Sequence, residues 1–199
     1  MGDGRGRLVV ISAPSGAGKT TIARAVLDAN ALLEFSVSAT TRPKRPGETD
    51  GKDYHFLTAA EFQRRVEAGE FVEWEELYGN FYGTLKREVD RALAGEKCLL
   101  FDVDVNGGLS IKSRYPESLL VFICPPDEAT LRHRLESRGT EDRETIERRM
   151  ARVPMEMEKG RKFDRQVVND DLPRAITEVV DIVNAYLSSP RSAHGYQTD

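Results

Sequence analysis

The chain has 199 residues, 39% hydrophobic and 31% charged, with 29 basic against 33 acidic side chains and a formal net charge of −4. That length suffices for one substantial core, and the acidic balance sets aside non-specific nucleic-acid binding, which needs a basic surface. No apolar run reaches the length of a membrane span, residues 1–7 lack the apolar centre of a secretion signal, and Cys98 and Cys124, both in apolar runs, read as buried thiols with neither a disulfide framework nor a metal-ligand spacing, so a cytoplasmic location is the expectation.

Residues 8–12 are the first expected strand, and a helix is under way by Ile22. Between them runs APSGAGKT, the pattern G-x-x-x-x-G-K-[ST] with Ala13 in place of its first glycine. Small residues let main-chain amides converge on one point, and the helix N-terminus adds its dipole. Lys19 adds a full charge, and the Thr20 hydroxyl can face a magnesium ion. Strand, loop, Gly-Lys-Thr and helix follow in the order that a phosphate cradle requires; a glycine-rich turn beside a surface lysine requires no such order.

Further strands are expected at 34–38, 97–102, 119–124 and 165–168, with helices between them. This makes an α/β chain with a mostly parallel five-stranded sheet. Core segments of this kind span 1–39, 85–126 and 158–188, and two segments break the alternation. Residues 40–84 read as an α+β insertion. It holds the polar TTRPKRPGETDGKD, a short strand in YHFL, a helix, and the strand pair EFVEWEELYGNFYG turning at Gly79-Asn80. Its helix has Thr58 and Glu61 as a capping box, Phe62 and Val66 as its apolar face and Gly69 as its stop.

Residues 127–157 read as a flap of two short arginine-rich helices joined at Gly139. Leu131, Leu135, Ile146, Met150, Val153 and Met157 are its apolar positions. The closing helix is capped by Asp171, has Pro173 in its first turn, and carries Ile176, Val179, Val180, Val183 and Leu187 as a stripe. Residues 189–199 show no periodicity and read as a flexible tail.

Phosphoryl transfer asks a protein mainly for positioning and positive charge. Arg134 and Arg138, one turn apart on one face, and Arg149 lie on the flap and can close over phosphates. Arg132, Arg143, Arg148 and Arg152 read as solvated surface charges. LLFDVDVNG ends a strand in Asp102 and Asp104, at the edge of a parallel sheet where ligands bind. One of the two can hold a metal's water shell, or the pair can simply cap the strand end. In the insertion, Arg42 and Arg45 can grip a monophosphate, with the Tyr54 and Tyr82 hydroxyls as further donors. Glu73 stands between Val72 and Trp74, and its two oxygens match the paired N1–H and N2 donors of a guanine edge, which adenine lacks. On pattern alone it is also a surface residue of a strand. Ser38 and Thr84 offer hydroxyls to the remaining base atoms.

Taken together, SAPSGAGKTT, SVSATTRPKRPGETDGKDYHF, EFVEWEELYGNFYGT, LLFDVDVNGG, RLESRGT and VVNDDL resemble the guanylate kinase family in order and spacing over residues 7–187. The resemblance implies a P-loop core with a mostly parallel sheet, an inserted GMP-binding region and a helical lid. It also implies direct in-line transfer from ATP to GMP with Mg²⁺. By motif, Ser15, Gly16, Ala17, Gly18, Lys19, Thr20 and Thr21 would hold ATP, with Asn169 near its adenine. Ser38, Glu73, Thr84 and Asp102 would meet guanine, and Arg42, Arg45, Tyr54 and Tyr82 would hold the GMP phosphate. Lys19, Arg134, Arg138 and Arg149 would neutralise the moving phosphoryl group, and Thr20, with Asp104, would face Mg²⁺ through water. ATP and GMP are the implied partners, without nucleic acid or membrane, in a monomer or weak homo-oligomer.

Three positions depart from the family pattern. Ala13 replaces a loop glycine, which a negative φ tolerates. Thr84 replaces a serine and keeps the hydroxyl. Pro154 falls where the family has a continuous helix, and an interior proline costs about 3 kcal/mol or forces a kink, so a bend is expected at 152–154. Two other readings stay in view. A P-loop kinase of a sugar phosphate would have no use for the carboxylate of Glu73. A non-catalytic module of the same fold, binding phosphopeptides, would have no use for Lys19, Thr20 and the flap arginines.

Overall fold

The structure, a computed structural model, describes residues 6–77, 79–137, 139 and 142–190. In chain order the first half comprises β1 (Leu8–Ser12), α1 (Lys19–Ala29), β2 (Leu33–Phe35), β3 (Ala39–Thr40), β4 (His55–Phe56), α2 (Ala59–Glu67), β5 (Phe71–Leu77), β6 (Asn80–Leu85) and α3 (Lys86–Ala94). There follow β7 (Cys98–Asp102), α4 (Val105–Arg114), β8 (Leu119–Cys124), α5 (Glu128–Ser137), α6 (Arg143–Met150), α7 (Val153–Gly160), β9 (Arg165–Val168) and α8 (Leu172–Ser188).

Five strands pair in parallel in the order β2-β7-β1-β8-β9. Every residue of β1 is buried, as a central strand covered on both faces requires. Alternate side chains serve opposite layers. Val9, Ile11, Leu100, Val121, Ile123 and Val167 pack with Ile22 and Val26 of α1 and Val179 and Val183 of α8. Leu8, Val10, Leu99, Phe101, Leu120 and Phe122 pack on the other side with Val89 of α3, Ile111 of α4 and Phe163. Each fully buried aliphatic or aromatic side chain contributes about 1.5–3 kcal/mol.

A second sheet, β4-β3-β6-β5, has its own small core of Ala39, Phe62, Phe71 and Leu85. The Phe62 ring stacks on Phe71 at 4.4 Å and on Phe81 at 5.4 Å. Thr58 caps α2 by accepting the Glu61 amide at 3.1 Å. The Glu61 carboxylate turns to Arg64 and Arg65 instead of the cap, so only half of the expected box forms.

Several boundaries move. β2 ends at Phe35, not 38: the Ser36 amide makes a last bond to the Leu100 carbonyl, and Ala39–Thr40 then joins the second sheet. α1 begins at Lys19, three residues before Ile22, which puts Lys19 and Thr20 in its first turn. Asn80 already belongs to β6, so the hairpin turns at Gly79, with φ +77°. Both cysteines are free, and Cys98 is buried whereas Cys124 is only half-buried.

The first flap helix is no loose element. Leu131 and Leu135 of α5 are buried, and a Cβ on Gly16 would lie 3.1 Å from the Leu135 side chain, so α5 packs directly on the phosphate loop. A break falls where the bend was expected: α6 stops at Met150, and α7 starts at Val153 with Pro154 in its first turn, where a missing N–H costs nothing. Asp171 caps α8 by accepting the Arg174 amide at 2.9 Å. Ser189 accepts a hydrogen bond from Arg7 at 3.0 Å, so the part of the expected tail from 191 on alone lies outside the described residues. Among the described residues no helix is long and apolar enough to cross a membrane.

Candidate active site

The loop after β1 meets the end of β7 because parallel pairing sets Ile11 beside Asp102. Gly16 and Gly18 take φ of +92° and +95°, conformations that only glycine adopts without strain. Ala13 is not among the positive-φ residues, so its methyl is accommodated. The loop lines a cavity of about 300 Å³ with Ser15, Gly16, Gly18, Lys19, Thr20 and Thr21; Arg149, Arg152 and Glu156 close it from the flap side. Arg149 donates to the Ser15 hydroxyl. Asn169, 2% exposed, lies beneath the loop and donates to the Ala17 carbonyl at 2.8 Å. Its main-chain carbonyl accepts from Arg134 at 3.0 Å. Arg138 lies outside the described residues.

A second cavity, of about 270 Å³, opens beside the first. Ser38, Tyr54, Glu73, Tyr82 and Asp102 line it, as do Phe35, Asp53, Glu75 and Leu77. Lys19, Thr20, Leu77 and Asp104 belong to both cavities. Lys19 Nζ lies 2.5 Å from Asp102 Oδ1 and donates to the Val103 carbonyl at 3.1 Å. Thr20 Oγ1 is 3.4 Å from Asp102 Oδ2. Asp104 Oδ1 caps α4 through the Gly107 amide at 2.9 Å, and its Oδ2 is buried and accepts no hydrogen bond.

Glu73 is 9% exposed, on the inner face of β5, paired across the hairpin with the fully buried Thr84. Burial pushes its carboxyl up to about 7, and Asp104 adds to the rise against the pull of the Thr84 hydroxyl. It is therefore not a solvent-facing strand residue. Two residues along the same face, Glu75 is also held up at about 7 by burial and by Asp104.

Arg42 and Arg45 do not line this cavity; behind its Tyr54 wall they gather around Glu48. Arg42 grips the Glu48 carboxylate with two nitrogens, at 2.7 and 3.1 Å, and lies over the Tyr54 ring at 5.3 Å. The Glu48 hydrogen bond to Arg42 holds that carboxyl below its ordinary value. The Arg45 amide donates to the same carboxylate at 2.7 Å while its side chain is exposed. Tyr54 and Tyr82 pack edge to face at 6.2 Å.

Sequence reasoning missed Glu48, Glu75, Phe35 and Gly107. Period-two alternation along β5, which puts Glu73, Glu75 and Leu77 on one face, was a signal for Glu75. Arg152 is a correction. It is not a solvated surface charge but sits among Glu75, Asp104 and Glu156. Arg132 is on the surface as expected, where it pairs with Glu147.

The family model for guanylate kinase matches residues 5–186. A guanylate kinase of Salinibacter ruber is 51% identical over 185 residues, 92% of this chain and 97% of that one. One of Symbiobacterium thermophilum is 45% identical over 181 residues, 91% of this chain and 86% of the relative. Among solved structures, the crystal structure of guanylate kinase from Anaplasma phagocytophilum superposes with a TM-score of 0.76 at 28% identity, covering 94% of this chain and 89% of that one.

Proposed function

The chain belongs to the guanylate kinase family, and we propose that it converts ATP and GMP to ADP and GDP by direct in-line transfer where its two cavities meet. The observation that carries this reading is their common wall of Lys19, Thr20, Leu77 and Asp104. A triphosphate on the loop amides and a monophosphate beside Tyr54 and Tyr82 would both reach Lys19.

In this reading the loop from Ser15 to Thr21 and the N-terminus of α1 hold the donor phosphates. Lys19 exchanges part of its pairing with Asp102 for the phosphate oxygens, and Arg134 and Arg149, with Arg138, balance charge as the phosphoryl group moves. Asn169 keeps the loop in shape from below, on the side where the family resemblance sets adenine. Glu73, ionised, accepts the two guanine donors, with Ser38, Thr84 and Asp102 around the base. Arg42 and Arg45, organised by Glu48, draw in the acceptor phosphate with Tyr54 and Tyr82. Residues 40–84 then act as the acceptor-binding subdomain and 127–157 as the lid over a core of the remaining segments. One chain contains both cavities, so the chemistry requires no second subunit. Two free thiols suit a reducing compartment such as the cytoplasm.

Magnesium fits the oxygens present. The buried Asp104 Oδ2 accepts no hydrogen bond and has the Arg152 guanidinium 3.6 Å away, and the Thr20 hydroxyl stands beside Asp102. These are hard ligands of the kind that ion takes, directly or through water. Thr20 with Asp104 would hold it, and it would supply neutralisation of the phosphate charge.

The test is ADP release by the purified chain with GMP, AMP, dTMP or a ribose bisphosphate as acceptor. Release with GMP far above the others is expected. Preference for the ribose bisphosphate would establish the sugar-phosphate reading, and no release with any acceptor would leave the phosphopeptide module.

A further inference from the structure

Where α6 gives way to α7, Arg152 turns inward, and its side chain is 25% exposed. Its Nη2 lies 3.1 Å from Glu75 Oε1 and 3.6 Å from Asp104 Oδ2, and its Nε lies 3.4 Å from Glu156 Oε1. These carboxylates come from different parts of the fold. Glu75 is on β5 and lines the acceptor cavity; Asp104 caps α4 and lines both; Glu156 is on α7 and lines the donor cavity. One guanidinium therefore joins the inserted sheet, the core and the flap at the seam between the cavities. A second tie backs it: Asn106 Nδ2 donates to the same Glu75 oxygen at 3.0 Å, and Lys159 of α7 donates to Asn106 Oδ1.

Three carboxylates at this spacing repel one another unless a cation stands among them. A planar guanidinium can serve several acceptors in fixed directions, which a lysine ammonium does with far less geometric definition. The Arg152 amide also donates to the Arg149 carbonyl at 3.1 Å, so whatever fixes Arg152 fixes the turn that places Arg149 on Ser15 of the loop. The roles assigned above leave both Arg152 and Glu75 without one.

We propose that Arg152 and Glu75 form a clasp that sets the two cavities in register, with Arg152 a positioning residue that acts through Arg149. This rests on the kinase reading of the site. In-line transfer is sensitive to misplacement of its partners by about 1 Å. Loosening the clasp therefore lowers the rate of transfer and leaves the binding of either substrate nearly intact.

The experiment measures kcat and both KM values, with melting temperatures, for the wild type, Arg152→Ala, Glu75→Ala, the double variant and Glu75→Gln. Each single alanine variant is expected to lose about tenfold in kcat. Its KM values for GMP and ATP should stay within about threefold of the wild type. The double variant should be no slower than the slower single one, because both changes open the same clasp. Glu75→Gln keeps an oxygen for Arg152 and Asn106 and should recover most of the rate, which a loss through general destabilisation would not do. Unchanged kcat in well-folded single variants, losses that multiply in the double variant, or a rise in KM at constant kcat would each overturn the clasp. If Arg152→Ala does not fold, the Glu75 variants, on the edge strand β5, decide the matter alone. A wild type without activity on GMP would instead overturn the kinase reading.

Discussion

The ammonium of Lys19 lies 2.5 Å from a carboxylate oxygen of Asp102, the last residue of the neighbouring parallel strand. The pair crosses the line between the donor loop and the acceptor cavity. In the proposed reaction the loop lysine would face two demands on its charge: Asp102 on one side and a bound phosphate on the other. Asp102 and the Val103 carbonyl together hold the ammonium at the seam.

Lys19→Ala should reduce turnover by about 10²–10³-fold, the scale on which a preorganised charge at the transferring group acts. GMP affinity, read by calorimetry, should change by no more than about threefold, because Glu73 and the arginines around Glu48 are untouched. Turnover at the wild-type level would remove the loop from the mechanism.

The buried carboxyl of Glu73 links recognition to pH. Its value of about 7 in the fold stands against 4.5 for the free group. Between these values the folded chain retains a proton that the unfolded chain has lost, so stability is highest below 4.5, falls as pH rises towards 7, and levels off above. The difference is worth about 3 kcal/mol. Glu73→Gln should therefore melt several degrees above the wild type at about pH 8, with the gap closing near pH 4. The same variant should raise the KM for GMP by about tenfold or more, since an amide accepts only one of the two guanine donors. In the wild type, GMP affinity should weaken as pH drops below about 7, more steeply than in Glu73→Gln. Parallel pH profiles would show that Glu73 does not face the base.

Gly107 tests the same contact from behind. A methyl at this position would stand 2.8 Å from Glu73 Oε2 and 3.3 Å from Asp104 Oδ1. Gly107→Ala should push the Glu73 carboxylate aside and raise the KM for GMP by about tenfold, with the KM for ATP within about twofold. Helix propensity favours alanine here by about 1 kcal/mol, which offsets the crowding in a thermal melt. Equal rises in both KM values would point to a general disturbance of α4.

Pro154 occupies a first-turn position of α7, where a proline ring is accommodated. Pro154→Ala should lower stability by about 0.5–1 kcal/mol, because the unfolded chain gains freedom and the fold gains no bond. A rise in melting temperature, with more helical ellipticity, would mean that the break between α6 and α7 is imposed by the proline rather than shared by its surroundings.

Local chemistry made much of the molecule legible. β1 announces itself by four consecutive apolar residues, α8 by its Asp171 cap and apolar stripe, and the phosphate loop by glycines that must take positive φ. Pro154 marks the start of α7, because a ring without an N–H suits a first turn. Each of these is decided within a few residues, so a linear reading suffices. The ends of β2 and of the hairpin turn were misplaced by a few residues because pairing partners, not propensity, end a strand.

The site is of another kind. Sequence by itself determined which groups were on offer: a lysine and amides for phosphate, a carboxylate between valine and tryptophan, arginines in the flap. Only the tertiary structure decided what each meets. It buries Glu73 behind Thr84 and Gly107, ties Lys19 to Asp102, gives Arg42 to Glu48, and draws Arg152 from the surface into three carboxylates. Charge and burial are through-space quantities, set by chain segments far apart in sequence, and no local pattern of residues carries them.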